Sequence, residues 1–356
     1  EEEEKAAVAV TGDVAVEGEE GGKVAVRVKR RIRLNNRWID LRTQANQAIA
    51  RIQGGVMLLF REYLSSKGFI EIMTPKLLGG ASEGGAEVFR LKYFGRDACL
   101  AQSPQLYKQM CAVGADMRRV FEVGPVFRAE NSWTHKHLTE FHGLDMEMAI
   151  NEHYYEVLGV FSDLFCYIFD GLNARYKAEI EAVRAQYPFE DFCYSRPALK
   201  LTYAEGIAML REAGVEPADD KDLGSAEEKI LGRLVKERYG TDFFMMDKYP
   251  MSARPFYSMP CPDDPSLSNS YDFFMRGEEI LSGAQRVHDP DMLMRQAAAK
   301  GVPPESIKPY IDSFRHGAEP HGGGGVGLER VVMLFLHLHD VRQVALFPRD
   351  PKRIAP

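Results

Sequence analysis

The chain has 356 residues, 45% of them hydrophobic and 27% charged, with a formal net charge of −7. That length and mix suit one large packed domain with an insertion, or two domains, and exclude a disordered chain. Bulk charge gives no reason to expect a nucleic-acid partner, so any such partner must be argued from local residues. The five cysteines, Cys99, Cys111, Cys166, Cys193 and Cys261, form no CxxC pair. This argues against a disulfide framework or zinc knuckle and for a reducing, cytosolic compartment. No apolar run of membrane-spanning length stands out, so no membrane span is expected. The acidic start, Glu1 to Lys5, is unlike a secretory leader.

Residues 1–33 combine an acidic, low-complexity start with a basic run, Arg27 to Arg33, and are expected to form a flexible linker. From Thr43 the apolar residues Ile49, Ile52, Val56, Leu59, Phe60 and Tyr63 recur at helical spacing up to Lys67-Gly68. Phe69 to Met73 then suits a strand, punctuated by Pro75. Residues 118–149 suit two strands joined by a long polar loop, and residues 152–185 an aromatic-rich helical stretch. Helices are expected at Tyr203 to Ala213 and Ala226 to Tyr239, and short strands at Phe243 to Met246 and Phe256 to Met259. Tyr271 to Met275 and Glu279 to Ala284 flank Arg276-Gly277 as a hairpin would. Val331 to Leu338 is an apolar helix after a glycine run. Strands joined by turns, without regular crossover helices, point to an α+β fold: an antiparallel sheet flanked by helices. The expected organisation is a linker over 1–33 and one catalytic domain over 34–356, with a mostly helical insertion at about 151–265.

Three segments carry chemistry. In the first, Arg128 and Glu130 are expected on one strand face, with Phe141, Asp145 and Glu147 on the facing strand. Leu144, Met146 and Met148 then take the opposite, apolar side. The loop between, Asn131 to His137, sets two histidines and Lys136 above the polar face, an arrangement suited to a polyphosphate. The second is Gly322 to Arg330. Its formal GxGxxG lacks the parallel strand–helix–strand setting of a dinucleotide site, and no GK[ST] follows. Its glycines are expected to let the backbone approach a ligand, with Arg330 at the start of a helix, where the helix dipole adds positive charge. The third is Asp272 with Glu278, Glu279, Ser282 and Arg286: acids able to hold Mg²⁺, and an arginine able to fork onto a carboxylate.

The helix ending in Lys67-Gly68 with Pro75, the Arg128 hairpin and the glycine run ending in Arg330 resemble, in that order and spacing, the three motifs of class II aminoacyl-tRNA synthetases, from about Arg33 to Pro356. Finer features resemble the aspartate branch of eukaryotic and archaeal type: Ser82-Glu83-Gly84-Gly85, Gln102-Ser103-Pro104-Gln105 with Lys108, and Ser282-Gly283-Ala284-Gln285-Arg286. The resemblance implies L-aspartate, ATP and tRNA(Asp) as substrates, and Mg²⁺. It places Lys108 and Arg286 on the aspartate side chain, Ser82, Gln105 and Asp145 on its amino group, and Glu83 and Ser282 in the same pocket. Arg128 would bridge the substrate carboxylate and the α-phosphate. Phe141 and Arg330 would sandwich adenine, with Glu140 at its edge and Glu130 nearby. Arg330 and His137 would reach the γ-phosphate, and Asp272 and Glu279 would hold Mg²⁺. A homodimer through residues 44–75 is also implied. The alternatives are asparagine activation on the same fold and a non-catalytic RNA-binding or interaction paralogue. Two cations facing the side chain disfavour asparagine, because an amide NH₂ would meet donors. Nothing in the chain resembles the family's anticodon-reading barrel, so a catalytic fragment is expected.

Overall fold

A computed structural model describes residues 28–79, 88–218 and 221–355. Ser82 and Glu83, expected over the amino acid, lie outside the described residues.

Eleven strands run along the described residues: β1 Ile70–Glu71, β2 Leu77–Leu78, β3 Arg90–Tyr93, β4 Arg96–Leu100, β5 Arg119–Phe127, β6 Glu140–Ala149, β7 Leu199–Thr202, β8 Phe243–Asp247, β9 Ser270–Met275, β10 Glu278–Gln285 and β11 His321–Gly327. Eight of them make the central sheet, in the order β1-β5-β6-β11-β10-β9-β8-β7. The inner pairs are antiparallel, as expected, while β1–β5 and β7–β8 at the two edges are parallel. A separate three-stranded sheet, β2-β4-β3, stands beside it.

The main helices used below are α1 Gln44–Ser66, α2 Tyr155–Arg175, α3 Lys177–Gln186, α4 Tyr203–Glu212, α5 Ser225–Tyr239 and α6 Leu328–Phe335. The stripe Ile49, Ile52, Val56, Leu59 and Phe60 of α1 is buried in one core with Phe161, Phe165 and Phe169 of α2 and the even-numbered face of β6, Leu144, Met146 and Met148. Each such side chain contributes about 1.5–3 kcal/mol on burial. This core holds one face of β6 against helices and leaves the odd-numbered face for chemistry. By length and composition alone α2 could cross a bilayer. Its Phe161, Phe165 and Phe169 are nonetheless at most 1% exposed, and they pack against the sheet.

Local chemistry sets several boundaries. Thr202 and Glu205 cap α4 reciprocally, a capping box that fixes its first turn. Arg276 and Gly277 both have positive φ, 46° and 71°, so the β9–β10 hairpin turns through the left-handed region at both central positions. A Cβ on Gly232 of α5 would lie 2.3 Å from Gly277 Cα, so two glycines let α5 sit directly on that turn.

Four expectations change. The chain turns helical at Arg30–Asn35, and Arg33 pairs with Asp40 at 2.5 Å, so the end of the expected linker is structured. Phe256 to Met259 is not a strand: Pro255 and Pro260 bracket it, and within it only the isolated bridge Ser258–Arg286 forms. Strand β5 stops at Phe127, so Arg128 and Glu130 lie past its end. Arg128 N–H still donates to Thr139 O at 2.9 Å, which extends the ladder by one bond. Finally, the glycine run is itself a sheet strand, β11. A Cβ at Gly323 would meet Met146 O at 2.1 Å and Glu147 Oε2 at 2.5 Å. Glycine at 323 therefore serves close packing within the sheet, rather than access for a ligand.

Candidate active site

The odd-numbered face of β6, with β10, β11, the 128–139 loop and the start of α6, walls a cavity of about 240 Å³. Its lining includes Gln105, Arg128, Glu130, His137, Phe141, Asp145, Arg254, Glu279, Ser282, Arg286 and Arg330. The structure thus brings together residues separated by two hundred positions in sequence.

One end is a closed charge network. Arg286 Nε and Nη2 fork onto Glu147 at 2.9 and 3.2 Å, and Nη2 also donates to Gly323 O at 2.8 Å. Lys108 Nζ donates to Asp145 Oδ1 at 2.8 Å and Gly324 O at 3.0 Å, and lies 3.5 Å from Glu147. Two cations therefore meet two carboxylates, all deeply buried. Burial works against charge on Glu147, but Arg286 and Lys108 overcome it and hold the carboxyl below its usual range. Lys108 is 1% exposed, stands behind Asp145 and is not on the cavity wall. Gln105 Oε1 accepts from Arg286 at 3.3 Å, and its buried Nε2 has no partner among the described residues.

The other end is unbalanced. Strands β9 and β10 pair Ser282 with Asp272 and Glu279 with Phe274, with a bulge at Ile280 between them. The bulge turns Glu279 onto the face that Ser282 and Asp272 share, although strict alternation would oppose Glu279 and Ser282. Burial, and next Asp272, push the Glu279 carboxyl up to about 7, against the pull of Arg330. Arg330 Nη1 donates to Glu279 O at 2.7 Å and Nη2 to Lys136 O at 3.3 Å, so it ties the loop to β10. Lys136 Nζ pairs with Glu228 of α5 at 3.0 Å, and His135 with Glu278 at 2.8 Å. His137 is pushed down to about 4 by burial and then by Arg330, Lys136 and Arg128, so it is neutral at pH 7. Its Nδ1 is engaged by Thr134 Oγ1 at 2.5 Å, which leaves Nε2 to face a ligand. Arg128 lies with its guanidinium carbon 5.3 Å from the centre of the Phe141 ring.

The crowded carboxyls tested against Mg²⁺ fit only in part. Among the described residues no group of three or more His, Cys, Asp or Glu has metal-holding geometry. Asp272 has both oxygens on Arg254, at 2.6 and 3.1 Å. Glu279, buried beside Asp272 and on the cavity wall, fits an ion completed by phosphate oxygens and water, which is how Mg²⁺ is commonly bound.

Most expected site residues therefore converge on the cavity. Glu140 does not: it is exposed at the start of β6, where its backbone forms an isolated β-bridge with Arg349. Asp272 and Lys108 sit one layer behind the wall. Sequence inspection missed Arg254, which follows the short helix Met251–Ala253, and Glu228 on α5. No periodicity marks Arg254, because its partner lies 18 residues further on. Trp133, on the loop, has Lys352 Nζ 4.0 Å from its ring centre, which accounts for an aromatic residue at that exposed position.

Comparison with known proteins agrees with this geometry. The family described as tRNA synthetases class II (D, K and N) matches residues 29–351. The cytoplasmic aspartate–tRNA ligase of Mus musculus is 60% identical over 341 residues, which are 96% of this chain and 68% of that protein. Among solved structures, the aspartyl tRNA synthetase from Entamoeba histolytica superposes with a TM-score of 0.85 at 49% identity, covering 99% of this chain and 67% of that one. The asparaginyl-tRNA synthetase from Pyrococcus horikoshii, complexed with asparaginyl-adenylate, gives 0.84 at 33% identity, over 92% of this chain and 74% of that one. With a family match over residues 29–351, this chain belongs to the class II tRNA synthetases.

Proposed function

We propose that this chain is a cytoplasmic aspartate–tRNA ligase. It activates L-aspartate with ATP to aspartyl-adenylate and transfers the aspartyl group to the 3′ end of tRNA(Asp). The observation that carries the substrate choice is the Lys108–Asp145–Glu147–Arg286 network at one end of the cavity. An incoming α-ammonium would draw Asp145 away from Lys108. The lysine and Arg286 would then face the side-chain carboxylate with donors only, an arrangement that mismatches an amide NH₂. The higher identity to the aspartate enzyme of mouse than to the asparagine enzyme of Pyrococcus horikoshii supports the same choice.

The chemistry is positioning and charge stabilisation. The α-carboxylate attacks the α-phosphorus, and pyrophosphate leaves in line. Arg128, exposed to the cavity and paired with no acid among the described residues, stabilises the developing charge between carboxylate and phosphate. Phe141 and Arg330 flank the adenine, with Glu130 at its rim. Neutral His137 donates one hydrogen bond toward the γ-phosphate. Mg²⁺, when bound, would neutralise phosphate charge, with Glu279 as its protein donor and Asp272 behind. A ribose hydroxyl of the tRNA then attacks the activated carbonyl, and AMP leaves. Gln105, Ser282 and, over the pocket, Ser82 and Glu83 complete the amino-acid site.

Residues 34–356 act in this reading as one catalytic unit, elaborated over about 151–265. It works as a homodimer through residues 44–75. Leu58, Ile70 and Met73 in that segment are 45%, 49% and 93% exposed, an apolar face that a second copy would cover. Following labelled aspartate into acid-precipitable RNA tests the function. Label appears in RNA for a tRNA ligase. Aspartate-dependent release of pyrophosphate without labelled RNA would point to an amide ligase on the same fold.

A further inference from the structure

Arg254 has no part in the assignments above, yet it is held from several sides. Its Nη2 and Nη1 fork onto Asp272 at 2.6 and 3.1 Å. Nη1 also donates to Ser282 Oγ at 3.1 Å, and Nη2 lies 3.4 Å from Asp222. The guanidinium carbon is 3.9 Å from the centre of the buried Tyr249 ring. Arg254 itself is 6% exposed and still forms part of the cavity wall.

A fork on both oxygens of a carboxylate covers the positions at which a divalent cation would bind it. Without Arg254, Asp272, Glu279 and the Ser282 hydroxyl would share one face of the β9–β10 hairpin. Two carboxylates and a hydroxyl make a bare cation site that needs no nucleotide. We propose that Arg254 is a positioning residue acting as a built-in cation on Asp272, leaving Glu279 as the open carboxylate so that the divalent ion enters with the nucleotide and not before it. For the nucleotide it rests on the ATP-activating function proposed above. The charge arrangement itself does not depend on which amino acid is activated.

The probe is Mn²⁺ alone, titrated into nucleotide-free full chain and followed by the electron paramagnetic resonance signal of the free ion. Wild type is expected to bind weakly. Arg254→Met uncovers Asp272 and is expected to bind at least about tenfold more tightly. Arg254→Lys keeps the charge but can cover only one oxygen, so it falls between. In pyrophosphate exchange, Arg254→Met raises the KM for Mg²⁺·ATP. Circular dichroism verifies the fold. A folded Arg254→Met that binds Mn²⁺ no more tightly than wild type overturns the proposal. Should that variant not fold, an Arg254→Lys with unchanged Mn²⁺ affinity overturns it instead. If wild type activates no amino acid but the Mn²⁺ order holds, the ligase function fails while the role of Arg254 stands.

Discussion

The two ends of the cavity use the same residue types and settle their charge in opposite ways. At the amino-acid end, Lys108 and Arg286 are matched by Asp145 and Glu147, every charge has a partner within 3.5 Å, and Glu147 is held ionised. At the phosphate end, burial and then Asp272 push the Glu279 carboxyl up to about 7, and Arg128 stands exposed with no carboxylate paired to it among the described residues. A closed network can hold a fixed shape and select among amino acids. An open one can take up the triphosphate and its cation, and change its charge as they arrive and leave. Selection and chemistry are thereby separated within one sheet.

That contrast predicts different failures at the two ends. The largest effect is expected at the closed end. Arg286→Met removes the fork from buried Glu147 and leaves only Lys108, 3.5 Å away and shared with Asp145, to face it, a change that costs about 3–5 kcal/mol. Thermal and denaturant unfolding should show that loss, with no exchange activity, and Arg286→Lys should rescue little because one ammonium cannot replace the fork. At the open end, Arg128→Ala should lower exchange about 10²–10³-fold while thermal stability barely moves. If the two variants lose stability equally, the distinction between the ends is wrong.

Acid should separate the ends as well. The Glu147 carboxyl is depressed in the folded state, so its stabilisation is present above the unfolded value of about 4.3 and is lost as pH falls through the folded value. Wild-type stability should therefore drop as pH is lowered below about 4.3, and Glu147→Gln, although less stable at pH 7, should show a shallower drop. An unchanged slope in the variant would mean that Glu147 is not the linked group. The smallest effect belongs to His137. It titrates at about 4, so it carries no charge between pH 6 and 8. His137→Asn should cost about tenfold or less in exchange, the worth of one hydrogen bond, and leave the pH profile over that range unchanged.

These differences also explain what could be foreseen. The β5–β6 hairpin and the core face Leu144, Met146 and Met148 were legible because a strand alternates with period two. The β9–β10 hairpin was legible because Arg276-Gly277 suits a turn with two positive φ angles. Arg254 was not legible, since its meaning comes from Asp272 across the fold. Nor could sequence place Lys108 behind the wall, because burial depth depends on the tertiary packing of β11 against β6. Glu279, expected to bind ATP and Mg²⁺, lines the cavity, but only the bulge at Ile280 explains how it shares a face with Ser282. The glycine run was expected to let the backbone approach a ligand, and Gly325 and Gly327 do line the cavity; that the run is a strand was not legible, because the crowding that demands glycine at 323 comes from Met146 and Glu147 of the neighbouring strand.

The most direct measurement is ATP–pyrophosphate exchange by the purified chain with Mg²⁺, run side by side with aspartate and with asparagine. The charge network predicts exchange with aspartate and at least about 10²-fold less with asparagine, the discrimination a donor-only site achieves against an amide. Exchange with asparagine equal to or above that with aspartate, or none with either, would contradict it.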